Sequence, residues 1–124
     1  MSEYLNQIAS VLNTLCESED VPMEAAYYGM CPETSLDTWN YFVFGRTKTS
    51  GGANDLDLQP HYDVSIIHED YIPEGYIETV IEALDGVLKR EKGSSIDYSY
   101  VLKGSTNVVI ELATIHFVRP RKRC

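Results

Sequence analysis

The fold turns on the stretch Asn107-Val108-Val109-Ile110-Glu111-Leu112-Ala113-Thr114-Ile115-His116-Phe117-Val118-Arg119. With a side-chain period of two, Val108, Ile110, Leu112, Thr114, His116 and Val118 share one face of a strand, and Val109, Glu111, Ala113, Ile115 and Phe117 share the other. Glu111 is the one charge that interrupts two apolar faces. A strand of this kind is covered on both sides. The helices of one small domain do not suffice for that, so the pattern points to self-association.

Upstream, Ile96 to Leu102 alternates Ile96, Tyr98, Tyr100 and Leu102 against Asp97, Ser99 and Val101. Lys103-Gly104-Ser105-Thr106 is a hairpin-length turn between these two strands. Before them, Tyr76, Ile77, Val80, Ile81, Leu84, Val87 and Leu88 form the apolar stripe of a helix. Pro73 suits its first turn, Lys89, Arg90 and Lys92 its C-terminal dipole, and Gly93 its stop. His61 to His68 alternates as a strand, and Asp37 to Arg46, with Trp39, Tyr41 and Val43, reads as another. Ala25 to Met30 forms a weaker one. Leu5, Ile8, Ala9, Leu12, Leu15 and Cys16 place the first helix from Glu3 to about Ser18. Thr47 to Gln59, with Gly51-Gly52 and almost no apolar content, reads as a long loop, and loops of that length usually carry function.

The order is therefore α-β-β-β-α-β-β: an α+β domain with a mostly antiparallel sheet of four or five strands and both helices on one face. Residues 1–118 make the single domain and residues 119–124 a basic tail.

The chain has 124 residues and a formal charge of −9, from ten Lys and Arg against nineteen Asp and Glu. Residues 1–118 carry all nineteen acids and six bases, a balance of −13, and the last six residues return +4. The acidic field opposes binding to nucleic acid or anionic membranes. No apolar run is long enough to span a bilayer, and the first residues lack a signal-peptide layout. Cys16, Cys31 and Cys124 contain no C-x-x-C pair, so neither a zinc knuckle nor a disulfide framework is indicated.

Enzymatic readings find little purchase. His61, Asp63, His68, Glu111 and His116 are of metal-ligating types, but strand parity sets His68 opposite Asp63 and His116 opposite Glu111. A magnesium nuclease could use Asp63 as its first acid, yet no D/E-x-K follows on a strand. No G-x-S-x-G, Gly-rich phosphate loop or dinucleotide fingerprint is present. The expectation is a non-enzymatic protein without cofactors or metals. Nine Tyr and one Trp are instead a rich supply of contact residues.

The segment Tyr62-Asp63-Val64-Ser65-Ile66-Ile67-His68-Glu69-Asp70-Tyr71-Ile72-Pro73-Glu74-Gly75, running into the Tyr76 to Leu88 helix, resembles structural proteins of long-tailed bacteriophages and prophages, as does the closing strand. The family it looks most like is that of the tail terminator, or tail completion, proteins. That resemblance implies a homohexameric ring that caps the tail tube and meets the head–tail connector. DNA would only pass through its channel, and the protein would reside in the virion after assembly in the host cytoplasm. The loop, through Thr47, Lys48, Ser50, Gly51, Gly52, Asn54, Asp55 and Asp57, would then project toward the tube or the lumen. Trp39, Tyr41, Tyr98, Tyr100, Phe117, Arg119, Arg121, Lys122 and Arg123 are the candidate contacts between subunits. Another neck or head–tail joining component, the nuclease centred on Asp63, and a monomeric host-directed binder are the alternatives.

Overall fold

The structure, a computed structural model, describes residues 3–21, 23–31, 39–51 and 58–119. Its elements are α1 (Glu3–Cys16), β1 (Ala26–Tyr28), β2 (Tyr41–Gly51), β3 (Leu58–Glu69), α2 (Tyr76–Leu84), β4 (Lys89–Arg90), β5 (Asp97–Leu102) and β6 (Val109–Val118). The six strands form one mixed sheet in the order β1-β2-β3-β6-β4, and β5 lies on the same edge of β6 as β4. The β1–β2 pair is parallel and every other pair is antiparallel.

Parity separates the two faces cleanly. Phe42 and Phe44 of β2, Tyr62, Val64 and Ile66 of β3, and Ala113, Ile115 and Phe117 of β6 are buried in one cluster with Leu5, Ile8 and Leu12 of α1 and Tyr76, Val80 and Leu84 of α2. Both helices thus cover the same face. Burying a residue such as Leu84 or Ile115 contributes about 1.5–3 kcal/mol, and this cluster is where the fold's stability is concentrated. Tyr41, Val43, Asp63, Ser65, Leu112, Thr114 and His116 point the other way and are half-buried on a face that carries no helix.

Several sequence expectations need correction. The sheet has six strands, because Lys89 and Arg90 do not finish α2 but form β4 against Val118 and Phe117. The helix stops at Leu84; Val87 and Leu88 turn back on the Leu84 carbonyl, which drops Leu88 into the core, and Gly86 lowers the cost of leaving the helix. Trp39 precedes β2 instead of lying within it. Much of the expected loop is ladder: Lys48, Thr49, Ser50 and Gly51 pair with His61, Pro60, Gln59 and Leu58. β2 and β3 therefore continue as a two-stranded arm past the start of the β3–β6 pairing at His61. Pro60 sits where the arm leaves the sheet, a position that tolerates the lost N–H donor.

Candidate functional site

The helix-free face gathers its polar groups along one line across three strands. Asp63 of β3 and His116 of β6 are register partners, and the Asp63 Oδ1 lies 2.7 Å from His116 Nδ1. On the other side, Asp97 at the start of β5 places Oδ2 2.7 Å from His116 Nε2. One step along β6, the Ser65 and Thr114 hydroxyls meet at 3.0 Å. The Asp97 and Asp63 carboxylates raise the His116 pKa above its ordinary value, against the smaller effect of burial. Asp97 is held below the usual carboxylate range, first by His116 and then by the Ser95 hydroxyl. A doubly protonated imidazole donates to both acids, so this is a charge-assisted tie between β3, β6 and the edge strand β5.

The same geometry limits the chemistry. The two acids approach the ring from opposite nitrogens, so no single ion lies within reach of all three groups. The other His and acid residues of the metal reading go elsewhere. His61 is buried beside Glu91, at 3.6 Å from its Oε2, and His68 Nδ1 donates to the Glu69 carbonyl at 2.8 Å. Among the described residues there is no group of three or more His, Cys, Asp or Glu placed to hold a metal ion.

Two carboxylates act as structural hubs at the far end of the sheet. Glu69 Oε1 accepts from the Trp39 N–H and from Lys103 Nζ, and the Glu69 N–H donates to Asn40 Oδ1. The Lys103 ammonium holds the Glu69 carboxyl below its usual range. Ile67 and Ile110 are buried at this end although they lie on the helix-free face. On the helix side, Glu111 Oε1 accepts the buried Ile72 N–H at 2.8 Å and Oε2 accepts the Tyr100 hydroxyl at 2.9 Å. That explains the charge inside an apolar strand: it anchors the β3–α2 connection and β5 at once. Glu111, Glu74, Glu78, Ile77 and Tyr98 help line a shallow groove of about 390 Å³.

The candidate contact residues divide into three groups. Tyr98 and Tyr100 are 51% and 59% exposed on β5, whose six residues are all exposed. Trp39 and Tyr41 are half-buried, Tyr41 packing edge-on to Tyr27. Phe117 is a correction: it is 1% exposed and belongs to the core, because its parity in β6 matches Ala113 and Ile115. Arg119 stacks its guanidinium over the Tyr4 ring of α1 at 4.0 Å. Arg121, Lys122 and Arg123 lie outside the described residues. On the arm, Thr47 is exposed, and Lys48, Ser50 and Gly51 belong to the β2 ladder. Gly52, Asn54, Asp55 and Asp57 lie outside the described residues.

Sequence reading missed Asp97 as the partner of His116. The hairpin register would have supplied it, since Leu102 pairs with Val109 and Asp97 therefore reaches Thr114, diagonal to His116. Among the described residues no helix is long and apolar enough to cross a membrane. No protein-family model and no curated protein sequence matches the chain, so the functional reading rests on its residues and their geometry.

Proposed function

We propose that this chain is a non-enzymatic structural protein of a long-tailed phage or prophage, the tail terminator. Six copies form a ring that caps the tail tube and joins it to the head connector. The observation that carries the reading is the β2–β3 arm, which runs past the body of the sheet to Gly51 and Leu58 and bears the polar residues 52–57 at its tip. A helix-free sheet face with a half-buried Trp39 and Tyr41, and an exposed β5, supply separate surfaces for contacts between copies. The net charge of −9 suits a channel through which DNA slides, because an acidic wall repels phosphates.

The test is capping of purified tail tubes, read as tube length in electron micrographs. Wild-type protein is expected to halt tube growth with a ring at one end. A chain in which residues 52–57 are replaced by Asn-Gly is expected to keep its circular dichroism spectrum and lose capping. Capping by the shortened chain would remove the arm from the mechanism. Tubes that grow unchecked with wild-type protein, or a ring that binds only the head-side connector, would contradict the terminator reading.

A further inference from the structure

The strand β5 is an edge that nothing in the fold blunts. Natural edge strands are protected by proline, inward charges, bulges or shortness. β5 has none of these in its middle: Tyr98, Ser99, Tyr100, Val101 and Leu102 are all exposed, and Tyr98, Tyr100, Val101 and Leu102 are 47–59% accessible. Among the described residues β5 pairs only with β6.

The direction of its free backbone groups follows from one bond. The Lys103 N–H donates to the Val108 carbonyl at 2.9 Å. Alternation along an antiparallel ladder then turns the N–H and C=O groups of Val101, Ser99 and Asp97 toward β6, and those of Tyr98, Tyr100 and Leu102 toward the open edge. An extended strand is the occupant this edge accepts.

We propose that the occupant is β5 of a second copy, paired antiparallel about a twofold axis through Tyr100. In this register Tyr98 faces Leu102 of the second copy, Tyr100 faces Tyr100, and Leu102 faces Tyr98. All three outward-pointing residues are used, forming about six main-chain hydrogen bonds. The ends match as well: Asp97 of each copy faces Lys103 of the other. Both residues have intrachain partners, in His116 and Glu69, but an ammonium has three donors and a carboxylate accepts several hydrogen bonds. Sliding the pair by one residue would set helix-side residues against residues of the helix-free face. Sliding it by two, so that Ser99 faces Ser99, loses one outward pair and sets Asp97 against Val101. Charge and hydrogen bonding thus select the same register. The pairing does not rest on the terminator reading, and a twofold contact is used up once two copies meet, so it cannot itself close a ring.

Cross-linking tests the register directly. In a hydrogen-bonded antiparallel pair the Cα atoms are about 5.5 Å apart, within the span a disulfide bridges. In a chain whose Cys16, Cys31 and Cys124 are replaced by Ser, Tyr100→Cys is expected to give a covalent pair on mild oxidation and Ser99→Cys is not. A cross-link at Ser99→Cys but not at Tyr100→Cys overturns the register. Light scattering on the wild-type protein is expected to show an even number of copies, about 28 kDa for the pair alone, twice the 14.0 kDa chain. Tyr100→Pro removes only an outward N–H and is expected to halve that mass with an unchanged circular dichroism spectrum; Tyr100→Lys, which sets like charges face to face on the axis, is expected to do the same. Wild-type protein that stays at 14.0 kDa over a wide concentration range, or variants that keep the wild-type mass, overturn the pairing.

Discussion

Replacing Glu111 by Ala is expected to destabilise the fold by about 2–3 kcal/mol, most of it from a single hydrogen bond. Glu111 Oε1 accepts the Ile72 N–H, and Ile72 is only 6% exposed. Hydrogen bonds to charged groups contribute about 1.5–3 kcal/mol, and a buried N–H left without an acceptor bears the desolvation cost in full. The second bond, from the Tyr100 hydroxyl, is at the surface, where water replaces the lost acceptor and the contribution is about 0.5 kcal/mol. Glu111→Gln keeps one carbonyl acceptor, and about half the loss is expected. Urea denaturation followed by circular dichroism reads both variants, with an unchanged m-value marking a change in stability alone. At about 2.1 cal/mol/K of unfolding entropy per residue, the Ala variant melts about 8–12 °C lower. A Glu111→Ala protein within 0.5 kcal/mol of wild type would refute the hub role. So would a Gln variant as damaged as the Ala variant.

Other expectations follow from single groups. The Tyr76 hydroxyl is buried with no hydrogen-bond partner among the described residues, and burial pushes its pKa up to about 12; Tyr76→Phe is therefore expected to be neutral or stabilising by about 1 kcal/mol in denaturant melts, and a loss of that size would contradict it. Gly75 leads into α2 at φ +83° with nothing within 4 Å of an added Cβ, so Gly75→Ala is expected to cost about 1 kcal/mol through backbone strain alone, and Gly75→Asn less. The Asp63–His116–Asp97 tie sets a pH window. His116 has a raised folded pKa, so its contribution is complete below the ordinary value of 6.5 and is lost as pH rises through the folded value. Asp97 has a lowered one, so its contribution is complete above 3.8 and is lost as pH falls through the folded value. The stability difference between wild type and His116→Gln is expected to be largest between those two values and to shrink at higher pH; a flat difference from pH 4 to 9 would refute the tie.

The local parts of this architecture were legible in the sequence. Apolar spacing marked α1 and the core of α2, and alternation marked β3, β5 and β6, because amphipathic period is a property of neighbouring residues. Glu111 was visible as the charge that did not belong, although its purpose depended on Ile72 and Tyr100, far from it in the chain. The nonlocal register was not legible. Asp63 meets His116 only because β3 pairs with β6 across the intervening α2, β4 and β5. Composition misled at the arm, where the Gly-rich, polar segment Thr47 to Gly51 forms ladder against β3 instead of loop. It misled again at Lys89 and Arg90, where basic residues that suit a helix C-terminus pair with β6. Phe117 was assigned to a subunit contact because both faces of β6 are apolar, and only the placement of the helices decides which of them is the core.

The most direct test of the ring is the native mass of the Tyr100→Pro protein, whose β5 edge is closed to a second copy. Light scattering is expected to give a discrete species of about 84 kDa, six times the 14.0 kDa chain, alone or on the end of a tail tube. A mass of 14.0 kDa in solution, together with no six-fold density at tube ends, would contradict the reading of this chain as a ring-forming tail terminator.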